Sequence, residues 1–296
     1  MNDKVTIALA YNDEVRIYAT NSTNLVKTAT KIHKTLPTAS AAFGRFLTVG
    51  VIMSLMHKNG EKLSLRIVGD GPIKYLTCET HSGLIKGDIA NPDVYSIYED
   101  GPKKGKLNVA DAIGNGTLYV TKDFGLKEPF TSSVALVSSE IAEDFTYYFA
   151  TSEQTPSAVS LGVAVKNNKI ISSGGFILQL LPNCSEETIV KIEKVLASIP
   201  SISQLFSEGK TQYDIINILA NNNAKILEEL PIKYYCGCRK TKFTKSLGLL
   251  PIEELKDMIS EDQGCHIACN FCKKEYNFSQ DELTTILNKK LKNRTA

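Results

Sequence analysis

The 296-residue chain has no excess of charge of either sign: 34 lysines and arginines face 32 aspartates and glutamates, a formal net charge of +2. That balance creates no broad field for nucleic acid or a membrane surface. Long apolar runs are missing too. The longest, Phe46 to Met56, lies between Arg45 and His57 and has eleven residues, short of the roughly 20 that cross a bilayer. It is expected as a core helix. The opening MNDKVTIALAYNDE carries an apolar run too short for a signal peptide, with Asp3 in front of it, so a cytoplasmic protein is expected. There is no internal repeat, no low-complexity run and no GxxxxGK[ST] phosphate loop.

What is present is globular. A hydrophobic share of 43% with 22% charged residues argues against wholesale disorder, and the length suits one sizeable core with a smaller module beside it. Val5, Ile7 and Leu9 alternate against Val15 and Ile17 across the turn YNDE, which predicts a β-hairpin. Two helices should follow, in STNLVKTATKIHK and from Pro37 onward. Strand patterns return around the turn GDGP and continue through GTLYVTKDF, SSVALV, AVSLGVAV and GGFILQLLP. Because strands and helices come in blocks, an α+β class is expected, with a mixed sheet and helix core over residues 1–182.

From Cys184 the character changes. Ser185 is a candidate N-cap, with Glu186 and Glu187 in the first turn and Ile189, Ile192, Val195, Leu196 and Ile199 on one apolar face. Thr211 with Asp214 repeats the capping logic. Residues 183–231 therefore read as a linker of short amphipathic helices, which must pack on something to stay folded. Residues 232–296 form a third segment with thin apolar content and a capping box at Ser279 and Glu282. Modules so small commonly need a metal or disulfides.

Five of the seven cysteines fall between positions 236 and 272. Cys236-Gly-Cys238 and Cys269-Asn-Phe-Cys272 each place two sulfurs on one tight turn, and two such turns offer four thiolates around one point. That is the donor set of a closed tetrahedral zinc site, with one Zn²⁺ per chain. Gly237 eases the sharp turn between its neighbours. Cys265 and His266 lie close enough in sequence to substitute as ligands, and Cys265 is a candidate accessory thiol. Cys78 and Cys184 stand alone and read as small buried residues. A site with four protein ligands leaves no open position for activating water, so neither a zinc hydrolase nor any other enzyme is expected.

YYCGC together with CNFC resembles the zinc-thiolate signature of the redox-regulated 33 kDa heat-shock chaperones of bacteria, the 33 kDa chaperonin family. The segments GDGPI, GDIANPDV, GNGTLYVTKDFGLKEPF, SSEIAEDFTYYFATSEQTPSAVSLGV and GGFILQLLP resemble that family's core in order, so the likeness covers essentially the whole chain. It implies a holdase that works without ATP on unfolding or oxidatively damaged client proteins. The reduced, zinc-bound form would be inactive. Disulfides Cys236–Cys238 and Cys269–Cys272 would release zinc, destabilise the linker and activate the protein, with a homodimer on activation among its partners.

Two other readings bear on the same residues. CRKTKFTK has cations and Phe243 and suggests a zinc-ribbon module that binds nucleic acid, although the N-terminal segment has no basic stripe. A thiol-disulfide oxidoreductase would need its Cys-x-x-Cys at a helix N-terminus, whereas CNFCKKEYNF runs toward a strand.

Overall fold

The structure, a computed structural model, describes residues 3–56 and 61–295. Two compact units divide the chain, Met1–Tyr235 and Cys236–Ala296.

The first unit opens with the hairpin β1 (Lys4–Ala10) and β2 (Val15–Asn21), followed by helices α1 (Thr23–His33) and α2 (Pro37–Met53). Next come β3 (Lys62–Gly69), β4 (Tyr75–His81), β5 (Leu84–Ile89), the short α3 (Val109–Ile113), β6 (Gly116–Asp123) and β7 (Phe130–Ala135). Helix α4 (Ala142–Thr151), β8 (Ser157–Lys166) and β9 (Lys169–Leu180) complete the part expected to be α+β. Three helices follow, α5 (Glu186–Ser198), α6 (Ile202–Ser207) and α7 (Gln212–Leu219), then β10 (Ala224–Pro231) and β11 (Lys233–Tyr234).

The strands form two sheets, ordered β10-β1-β2-β9-β8 and β11-β5-β4-β3-β6-β7. Helix α2 packs on β8 and β9 of the first and on β3, β4 and β5 of the second. A helix that is apolar all round belongs inside, and here every residue except Pro37 and Arg45 is buried. Glycines permit the close approach: a Cβ on Gly44 would meet Val163 of β8 at 2.9 Å, and one on Gly50 would meet Cys78 of β4 at 3.0 Å.

The first sheet is covered on both faces. Val5, Ile7, Tyr18 and Ile177 join the core around α2, while the alternate residues Ala8, Ile17, Ala19, Phe176 and Leu178 pack with Ile192, Leu205, Phe206, Ile215, Ile216 and Leu219 of α5 to α7. Double burial shows in β1, where Val5, Thr6, Ile7 and Ala8 are all buried, so the alternation of Val5, Ile7 and Leu9 marks one of two covered faces. The caps at Ser185 and Thr211 form as the sequence indicates: the Ser185 side chain accepts from Thr188 N–H, and Thr211 and Asp214 make a reciprocal box.

The helical reading of residues up to 231 fails at its end, because Ala224–Pro231 is a strand antiparallel to β1. Asn221 and Asn222 take left-handed conformations (φ 49° and 60°), which end the helical run and turn the chain back along β1. The free edge of β1 then supplies hydrogen-bond partners that outweigh a weak local helical pattern. Pairing shifts register between Ile7 and Ala8, so Leu227 is an extra, bulged residue on β10.

The second unit contains α8 (Lys240–Leu247), α9 (Ile252–Ser260), the hairpin β12 (Gly264–Ala268) and β13 (Glu275–Ser279), and α10 (Gln280–Thr295). Its buried core is small: Leu247, Leu255, Tyr276, Phe278, Leu283 and Ile286 beside Cys269. The box that starts α10 is formed, with Glu282 N–H donating to Ser279 Oγ at 3.3 Å and Ser279 N–H to Glu282 Oε2 at 3.0 Å.

Candidate metal centre

Both cysteine pairs sit on turns that need left-handed backbone. Gly237 has φ 59°, where a side chain would be strained. In the second turn Cys269 N–H donates to Lys274 O at 2.9 Å and Lys273 N–H to Cys269 O at 2.8 Å, with Lys273 at φ 57°. The hairpin of β12 and β13 thereby presents Cys269 and Cys272 from its tip.

The Sγ atoms of Cys236, Cys238, Cys269 and Cys272 lie within 4.8 Å of one another, with Cys269 buried and the others half-buried. The closest approaches cross between pairs, Cys238 to Cys272 at 3.2 Å and Cys236 to Cys269 at 3.6 Å. Metal–thiolate bonds of about 2.3 Å in a tetrahedron set sulfurs about 3.8 Å apart, so the four can hold one ion with little adjustment. All four sequence candidates come together.

The thiols differ electrostatically. Burial and a bond to Cys269 push Cys236 well up, and burial also raises Cys272. Burial opposes ionisation of Cys238 as well, but hydrogen bonds from Tyr276 and Cys272 outweigh it and bring that thiol down to about 7. Tyr276 responds in the opposite sense: its bond to Cys238, then burial, lifts the phenol to about 12.

The other candidates stay outside. Cys265, on β12, packs half-buried against the small core and pairs in register with Phe278. His266 lies 3.4 Å from Glu275 Oε2. Cys78 is buried in the first unit's core, where burial pushes its thiol far up. Cys184 is only half-buried, near Glu14. Phe243, which the nucleic-acid reading would stack on a base, instead stacks on Tyr276 with centroids 4.8 Å apart, and Lys240 pairs with Glu282 at 2.5 Å. CNFC leads into β13 rather than a helix.

Tyr276 is the site residue that spacing did not single out. Its signal was the alternation in EYNF, which turns Tyr276 and Phe278 inward directly after the second cysteine turn.

Among the described residues no helix is long and apolar enough to cross a membrane. The family model described as Hsp33 protein matches residues 3–279. A 33 kDa chaperonin of Acholeplasma laidlawii is 50% identical over 288 residues, covering 97% of this chain and 99% of its own. One from Bacillus subtilis is 41% identical over 284 residues, covering 95% and 97%. The crystal structure of the 33 kDa chaperonin from Thermotoga maritima, a heat shock protein 33 homolog, superposes with TM-score 0.91 at 34% identity, covering 99% of this chain and 100% of that one.

Proposed function

The chain belongs to the Hsp33 family, and we propose that within it this protein is a redox-regulated, ATP-independent holdase for unfolding or oxidatively damaged proteins. The observation that carries the proposal is the meeting of four thiols within 4.8 Å in a unit with a thin core. Cys236, Cys238, Cys269 and Cys272 would hold one Zn²⁺, which when bound supplies a cross-link between the two turns and no open position for chemistry. Such binding contributes on the order of 10–16 kcal/mol of apparent folding free energy in zinc-finger peptides, more than so small a core offers.

Oxidation by a peroxide would convert each pair, Cys236–Cys238 and Cys269–Cys272, to a disulfide. Each pair of thiolates gives up two electrons to one peroxide, which takes up two protons from solvent and leaves as two waters, and the sulfurs cease to be anionic ligands. The second unit would then lose its order. Helices α5 to α7 rest on the first sheet, and in sequence β10 and β11 join them to the cysteines, so the disturbance would pass along those strands. If the helices lift, Ile17, Phe176 and Leu178 on the sheet and Leu205, Phe206 and Ile216 on the helices become apolar surface for clients. In this division of roles 1–182 with the strands β10 and β11 is the core domain, α5 to α7 within 183–231 the releasable cover and the unit from Cys236 onward the switch, and activated copies could pair as homodimers.

The test follows zinc release and aggregation of a heat-labile client together. Metal loss and client protection should appear together after peroxide with warming. If fully reduced, zinc-bound protein protects the client equally well, the switch is wrong.

A further inference from the structure

Two of the four sulfurs are supported by backbone groups: Cys236 by the Cys238 amide and Cys272 by the Lys274 amide. Cys238 has a side-chain partner instead. The single Tyr276 hydroxyl proton lies within reach of two acceptors of Cys238, its carbonyl oxygen at 3.1 Å and its Sγ at 3.2 Å, and is shared between them when the sulfur is a thiolate. Tyr276 stands four residues after Cys272 in sequence, on the hairpin that carries the second pair, yet its oxygen reaches the first. It therefore ties the two turns to each other independently of any ion. The other end of the same side chain is fixed: its ring stacks on Phe243 and belongs to the core with Leu247, Phe278 and Leu283, and only 7% of the residue is exposed.

We infer that Tyr276 is a positioning residue for the metal centre, a hydroxyl donor that holds the Cys238 thiolate in place and stabilises it, coupling the ligand cluster to the packing of the small core. This rests on the metal reading of the four cysteines. Four thiolates around a dication carry surplus negative charge, and donors aimed at the sulfurs spread it; partners of this kind orient ligands and set affinity. The coupling works in both directions. A Cys238 that no longer bears negative charge is a poorer acceptor, and the hydroxyl then keeps only the Cys238 carbonyl oxygen, so the core no longer holds the sulfur itself.

The experiment uses the full-length chain and Tyr276→Phe, which removes the oxygen and keeps the ring. Zinc affinity measured by competition with a chromogenic chelator should fall about tenfold, with faster release to the chelator. In cobalt-loaded protein the thiolate-to-metal charge-transfer band should shift in Tyr276→Phe. It should stay in place in Phe243→Leu, which loosens the ring but keeps the oxygen. Unchanged affinity and an unchanged band in Tyr276→Phe overturn the inference alone. A wild-type chain that binds no metal overturns it together with the metal reading. Should Tyr276→Phe fail to fold, wild-type protein loaded with NMR-active cadmium decides: scalar coupling between the ion and the Tyr276 hydroxyl proton supports the bond, and its absence overturns it.

Discussion

The hydroxyl of Tyr234 lies 3.2 Å from Nε2 of His33 and donates to the carbonyl oxygen of Gly87 at 2.9 Å. Both ring residues are buried, and His33 Nδ1 stands 3.6 Å from Asp88 Oδ1 with side-chain exposures of 1% and 7%. Tyr234 ends β11 and precedes the first clustered cysteine by two residues. The chain is thus pinned into the first unit immediately before it enters the second. Tyr234→Phe removes the buried bond to the Gly87 carbonyl and the contact with His33 Nε2 and should cost about 1–3 kcal/mol. Urea denaturation should show the loss while one metal per chain is still bound; an unchanged midpoint would refute the pinning role.

Cys269 is the buried member of the cluster. Cys269→Ser should abolish stoichiometric zinc binding and melt the second unit, removing on the order of 10 kcal/mol of metal-linked stability. Far-ultraviolet circular dichroism against chelator concentration measures it. A variant with an intact second unit and no zinc would show that the core suffices alone.

Cys265 lies outside the cluster. Replacing it with serine should leave zinc stoichiometry at one per chain, read by atomic absorption. Substoichiometric metal would put Cys265 among the ligands.

Leu205 is 4% exposed beneath α6, against the first sheet. Leu205→Ala should cost about 2–5 kcal/mol, borne by the packing of α5 to α7 on that sheet. If these helices are the releasable cover, the reduced variant should bind more of a hydrophobic dye and hold a client without peroxide. Destabilisation with no gain in holding would assign the cover elsewhere.

Glu140 accepts from Arg45 at 2.6 Å, from Lys103 at 2.7 Å and from Tyr98 at 2.7 Å. Burial alone would raise its carboxyl, but the bonds from Lys103 and Tyr98 and the Arg45 charge prevail and hold it down at about 2. A group whose pKa is lower folded than unfolded stabilises the fold above its ordinary value, here 4.5, and loses that contribution as pH falls toward 2. Glu140→Gln should therefore lower the midpoint at neutral pH and flatten the acid limb of stability between those values. Matching acid limbs in variant and wild type would contradict the assignment.

The cysteines were legible because thiolate pairs on tight turns carry a donor set that few other arrangements require, and Gly237 marked the tighter turn. The buried α2 and the hairpin of β1 and β2 were legible from apolar runs and alternation. Tyr276 was not, since an inward tyrosine in a strand has the same sequence signature whether its hydroxyl meets water or a sulfur. His33, Asp88 and Tyr234 come from three distant segments, and only the pairing of β11 with β5 brings them together. β10 escaped because Lys225 to Leu230 satisfies a short helical pattern, and the edge that recruits it lies more than 200 residues upstream in β1.

The bulge at Leu227 bears on how copies of the protein coexist. Strand β10 is the outer rim of the five-stranded sheet, and its irregular pairing at Ile7 and Ala8 throws that rim out of phase with any straight strand arriving from solvent. A molecule proposed to gather sticky, half-open chains thus presents a boundary that resists growing into ordered fibres with its own kind.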